Sequence, residues 1–152
     1  MSRRRNFLKY WLPILFWMGL IFTASGDTLS FKHSSRIIAP ILRWLFPHLA
    51  NDTVQLIVFL VRKCAHLTEY AVLAWLFWRA MRKPMRNDPR PWKWNEAFIA
   101  LACVALYATS DEIHQVFVPA RQGSVLDVLI DTSGAALGLV AVWAVGRWRK
   151  LW

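Results

Sequence analysis

The sequence predicts an all-α integral membrane bundle of four transmembrane helices, with a short amphipathic or re-entrant segment between the first and second spans. Three observations carry this. Apolar residues gather in four long runs. Hydrophobic residues make up 57% of the 152 and charged residues only 18%, beyond the ~45–50% apolar content of soluble domains. The basic residues, 19 Lys and Arg against 9 Asp and Glu, cluster between the runs, where they orient a chain in a membrane rather than grip nucleic acid. A single membrane domain over residues 1–152 is the default at this length.

The first run, Tyr10 to Ala24, follows Arg3, Arg4, Arg5 and Lys9. It reads as a retained anchor span within residues 1–26. Ala24-Ser25-Gly26 also resembles a signal-peptide cleavage site, and Arg4-Arg5 opens a stretch like a twin-arginine export signal. The anchor is preferred because three further spans follow. Asp27 to Asp52 is more polar, and inside it Ile37 to Phe46 is apolar but too short to cross. A membrane-surface or re-entrant helix fits that length. Asn51-Asp52-Thr53 reads as a helix start with a side-chain oxygen available as cap.

The second span is Val54 to about Trp78, interrupted at Arg62-Lys63, His66 and Glu69. At 1.5 Å per residue it reaches roughly 37 Å, longer than the ~30 Å hydrocarbon core. Arg79 to Lys93, rich in Lys, Arg and Pro, is a linker. Glu96 to Val118 is the third span, Pro119 to Ser124 a short turn, and Val125 to Gly146 the fourth. Arg147-Trp148-Arg149-Lys150 lies near the end. Both cysteines, Cys64 and Cys103, lie in apolar segments, without a CxxC pair; Cys64 reads as a small buried hydrophobe.

Lys/Arg content sets the orientation. The amino-terminal segment, the Arg79–Lys93 loop and the carboxyl-terminal segment are basic, and four spans with both termini cytoplasmic satisfies all three. The expected location is a bacterial cytoplasmic (inner) membrane. Trp75, Trp78, Trp92, Trp94, Trp143 and Trp148 then fall near the inner ends of their spans as an interfacial belt.

That orientation brings the polar residues of three spans to one level. Lys63, His66, Glu69 and Tyr70 lie in the outer half of span 2. Asp111, Glu112, His114 and Gln115 lie at the outer end of span 3, Arg121 in the outer turn, and Asp127 and Asp131 in the first turns of span 4. Ionisable groups at membrane depth cost at least ~2.5–3.5 kcal/mol each on insertion scales, so they mark a site by default. Helical phase agrees. Lys63, His66 and Tyr70 share an arc of roughly 60°, and Asp127 and Asp131 stack on a face that Gly134 and Gly138 continue. Gly134-Ala135-Ala136-Leu137-Gly138 is a small-xxx-small pattern that permits close helix approach.

Several chemistries fit this set. Buried ion pairs of Lys63 and Arg121 with the acids would only hold helices together. His66, His114, Asp111, Glu112, Asp127 and Asp131 are ligand types for a divalent metal, though their spacing matches no dedicated motif. His66, Glu69, Asp111, Glu112, His114 and Asp127 are candidates for acid–base catalysis. Lys63, Tyr70, Gln115, Arg121 and Asp131 are candidates for ligand binding, the two cations suited to an anionic group such as a lipid phosphate. A proton or ion path is a further possibility.

Three ordered motifs carry a resemblance. They are Arg62-Lys63-Cys64-Ala65-His66-Leu67-Thr68-Glu69-Tyr70, then Ser110-Asp111-Glu112-Ile113-His114-Gln115 with Phe117, Pro119 and Arg121, then Asp127 with Gly134 and Gly138. Together they resemble the VanZ-like family of small bacterial membrane proteins, named for a member linked to teicoplanin resistance. The resemblance implies a core of three spans over residues 51–146 and a cell-envelope role. The implied partners are the lipid bilayer and an anionic, lipid-linked envelope molecule that is bound or processed. A non-catalytic sequestering protein and a small ion- or proton-coupled transporter are the alternatives. Asp131 stands where the family pattern usually has Asn, and Ala120 where Gly is common.

Overall fold

The computed structural model describes residues 7–25, 31–83, 90–117 and 123–152, with side chains 31–34 not included. Five helices follow one another: α1 Phe7–Ser25, α2 Phe31–Leu45, α3 Asn51–Arg82, α4 Trp94–Val116 and α5 Val125–Trp148. No strand occurs among the described residues. The first turn of α1, Phe7–Trp11, is π-helical. Pro13 lacks the N–H that would bond to the Lys9 carbonyl, and Arg79 Nη1 donates to that oxygen instead at 3.3 Å.

Helices α3, α4 and α5 form the centre, with the most extensive contact between α3 and α5. Helix α1 lies against α3 and α4, and among the described residues α2 packs only against α3. The interior is built of small and aromatic residues: Ala74, Ala97, Ala100, Ala108 and Ala135 beside Tyr70, Leu73 and Trp78. The exterior is apolar, with Phe16, Phe98, Leu106, Leu129 and Leu137 all exposed. So much exposed apolar surface has no place in water and suits a bilayer.

Three helices, α1, α4 and α5, are long and apolar enough to cross a membrane, where the sequence led us to expect four. The exception is α3, the longest at 32 residues. Its two apolar stretches are separated by Arg62, Lys63, His66 and Glu69, which lower its mean hydropathy.

Local details also differ from expectation. Asn51 does not cap α3, whose N-cap residue is Ala50 without a side-chain bond. Its Oδ1 accepts from Arg43 Nη2 at 2.8 Å, tying α2 to α3. Ile38, Ala39 and Leu42 of α2 pack on Val54 and Val58, while Ile37, Ile41, Trp44 and Leu45 face outward. Helix α2 thus shows an apolar face on one side of its contact and exposed Arg36 and Arg43 on the other, the amphipathic pattern of an interfacial segment. Cys64 is exposed rather than buried, as are Val61, Ala65 and Thr68 beside it on α3.

Arg82 is not part of a solvated linker. It is 2% exposed, and its guanidinium donates to the Pro91 carbonyl at 3.0 Å, to the Arg90 carbonyl and to Glu96 Oε2 at 3.4 Å. It also lies over the rings of Trp78 and Trp152. Lys83, in the left-handed region at φ 47°, ends α3, and Arg82 then holds the returning chain at the start of α4.

Candidate functional site

Two glycines fix the depth of the site. A Cβ on Gly134 would lie 2.5 Å from the Leu67 carbonyl oxygen, and one on Gly138 would lie 2.7 Å from Ala71 Cβ. Helices α3 and α5 therefore touch backbone to backbone, as the small-xxx-small spacing predicts. This contact sets Lys63 opposite Asp127 and His66 opposite Asp131. Lys63 Nζ pairs with Asp127 Oδ1. His66 Nδ1 lies 3.5 Å from Asp131 Oδ1, with Asp131 only 1% exposed. That separation is within ion-pair range but too long for a good hydrogen bond, and neither Asp131 oxygen has a hydrogen-bond partner.

Asp111, equally buried, collects donors from three helices on one oxygen. Its Oδ2 accepts from Ser25 Oγ of α1 at 2.5 Å, Tyr70 OH of α3 at 3.3 Å and Gln115 Nε2 of α4 at 3.4 Å. Its Oδ1 has no hydrogen-bond partner. Glu112 serves the next turn: Oε1 accepts from Gln115 Nε2 at 3.0 Å and Oε2 from the Ser124 N–H at 2.8 Å. The latter satisfies a free amide at the start of α5. Gly123 permits this approach, since a Cβ there would meet the Glu112 carbonyl oxygen at 2.6 Å.

Between these groups lies a cavity of about 180 Å³, lined by Phe59, Arg62, Lys63, His66, Glu112, Gln115 and Asp127. Of the sequence-predicted residues, Lys63, His66, Glu112, Gln115 and Asp127 share it. Asp111, Tyr70 and Asp131 are buried behind it. Glu69 is half-buried, and its backbone carbonyl accepts from Trp17 Nε1 at 2.9 Å. His114 sits apart on the α1 side, its ring 4.2 Å from that of Phe22. Arg121 lies outside the described residues. Phe59, Arg62 and Ser25 were not among the predicted site residues. Arg62 had a signal in its adjacency to Lys63, whereas Ser25 looked like part of a cleavage site.

Among the described residues no three His, Cys, Asp or Glu side chains gather as metal ligands. Asp127 is engaged by Lys63 and Glu112 by Gln115 and Ser124, so these carboxylates are not gathered for a divalent ion.

A helical bundle with an apolar exterior and a polar cavity toward one end defines a class of membrane protein with a buried polar site. The VanZ/LLP1 family profile matches residues 10–146, and the chain belongs to that family. The match takes in α1 as well as the core. No protein with a curated description and no solved structure matches the chain significantly.

Proposed function

We propose that this protein is a multi-pass cell-envelope protein of the bacterial cytoplasmic membrane, in which α1, α3, α4 and α5 all cross. Both termini and the Arg79–Lys93 loop lie in the cytoplasm, so the polar cavity opens toward the outer leaflet. There it binds or processes an anionic, lipid-linked envelope molecule, with a consequence for glycopeptide (teicoplanin) susceptibility. The observation that carries this reading is the cavity itself, which places two cations, Arg62 and Lys63, beside an imidazole backed by a buried carboxylate.

The chemistry follows from those neighbours. A phosphate or carboxylate entering the cavity competes with Asp127 for Lys63 and gains charge-assisted bonds from Arg62. Arg121, on its sequence position alone, is a second planar cation for the same group. His66 faces the cavity with the Asp131 carboxylate behind it. This is a base-and-orienter arrangement of the kind used in acid–base catalysis. Asp111, Tyr70 and Ser25 hold the helices rather than touch ligand. His114 has no part in this reaction.

Native mass spectrometry of protein extracted with its membrane lipids tests the binding step, and a retained anionic glycolipid or polyprenyl phosphate is expected. The teicoplanin susceptibility of a sensitive host expressing the chain tests the consequence. His66→Gln separates the two readings of the site. Loss of the susceptibility effect with ligand still retained supports catalysis, and an unchanged effect leaves a sequestering protein. Absence of any anionic ligand from the wild type sinks both.

A further inference from the structure

A second cavity, of about 430 Å³, lies at the opposite end of the bundle from the polar site. Its volume is within the ~300–1,000 Å³ range of ligand pockets. The faces of α3 and α5 that touch at Leu67/Gly134 and Ala71/Gly138 continue, one and two turns on, as Trp75 and Trp78 on α3 and Ala141, Val142 and Val145 on α5. These residues wall the cavity. Bulky rings thus follow small residues, and the helices part into a crevice.

Its far end is closed by the last residues of the chain. Lys150, at φ 53°, reverses the backbone, and the Leu151 N–H donates to the Gly146 carbonyl at 2.9 Å. Trp152 Nε1 donates to the Trp143 carbonyl at 3.2 Å, and its ring packs on Trp78 and Trp92. Gly146 makes room for it: a Cβ there would stand 1.7 Å from Trp152 Cζ2. The result is an apolar slot between two helices, with Arg149 on its wall.

We propose that this slot binds one anionic glycerophospholipid, an acyl chain lying against Trp75, Val142, Val145 and Trp152 and the headgroup phosphate held by Arg149. Charge complementarity selects the occupant. Arg149 stands on the wall and no acid lines the slot, no Asp or Glu occurs between Asp131 and Trp152, and Glu96, at the start of α4, is engaged by Arg82. Basic pockets between transmembrane helices bind acidic headgroups for this reason. A free phosphate has no use for the apolar walls, and a neutral lipid none for the arginine. The slot is roughly 14–18 Å along α3 from His66, so it does not depend on the reading of the polar site.

The test is lipid retention by native mass spectrometry of delipidated, detergent-purified full-length protein after exposure to mixed phosphatidylglycerol and phosphatidylcholine vesicles. The wild type is expected to keep one phosphatidylglycerol and discriminate against phosphatidylcholine. Arg149→Gln, at an exposed position, should reduce that retention about fivefold, the effect of one basic contact. Val145→Trp should abolish it by filling the slot, while Leu106→Trp, on a lipid-facing turn elsewhere, should not change it. Equal retention of the two lipids overturns the headgroup assignment. Wild-type retention by Val145→Trp overturns the slot, and loss in Leu106→Trp as severe as in Val145→Trp does the same.

Discussion

Asp111 shows how a buried carboxylate becomes a structural knot. Its Oδ2 is shared by Ser25, Tyr70 and Gln115, from three helices, and the Ser25 bond joins positions 86 apart in the chain. A carboxylate so buried loses heavily when a donor is removed, because water cannot replace it. Ser25→Ala is therefore expected to lower stability by about 1–3 kcal/mol, read as a fall in melting temperature in detergent. Thr23→Ala, two residues back, is the control: its hydroxyl is exposed and donates to the Leu20 carbonyl of its own helix. A Ser25→Ala protein as stable as the Thr23→Ala protein would show that α1 is not bound through Asp111. The carboxylates, imidazoles and Tyr70 were legible in the sequence because such residues are rare in apolar runs. Ser25 was not. A hydroxyl beside Ala and Gly is unremarkable on a helix or at a cleavage site, and its partner depends on how α1 lies against α4. The separation of His114 from His66 was equally hidden, since phase within one helix does not say which neighbour a face meets.

The contact between α3 and α5 governs the site because it sets the register of Lys63 with Asp127 and His66 with Asp131. It was legible as a pattern, since Gly134 and Gly138 share a face with the aspartates. The identity of the opposing surface, Leu67 and Ala71, was not, because those residues carry no signal of their own. Gly134 and Gly19 respond differently to a methyl group. At Gly134 the obstruction is the backbone of Leu67, which cannot step aside. Gly134→Ala should cost about 1–3 kcal/mol, as overpacking does, and should also disturb the polar cavity. Gly19, in α1, has nothing within 4 Å of its would-be Cβ. Gly19→Ala should be neutral or stabilise by up to about 1 kcal/mol through helix propensity. Thermal unfolding of the two variants side by side checks both, and equal melting temperatures would mean that α3 and α5 do not meet at Gly134.

At the scale of the whole molecule, the number of crossings depends on α3. Counted by hydropathy it is excluded, because Arg62, Lys63 and Glu69 are charged wherever they point. Their surroundings argue otherwise. Lys63 is paired with Asp127, Arg62 and His66 line the cavity, and Glu69 is half-buried. The face that α3 exposes at the same level is Val61, Cys64, Ala65 and Thr68, and the Thr68 hydroxyl is satisfied by the Cys64 carbonyl at 2.8 Å. What lipid would meet there is uncharged, so the cost of crossing is far below what the composition suggests. Three crossings would also put the basic segments at Arg3–Arg5 and Arg147–Lys150 on opposite sides, against the rule that Lys and Arg stay inside. We therefore expect the two ends of α3 to lie on opposite sides of the membrane. In a Cys64→Ala, Cys103→Ala background, Asp52→Cys should react with an impermeant maleimide on intact cells. Lys83→Cys and Lys150→Cys should react only after the membrane is opened. Labelling of Asp52→Cys and Lys83→Cys from the same side would leave α3 as a surface helix, and the polar cavity would then lose the membrane depth from which its function is argued.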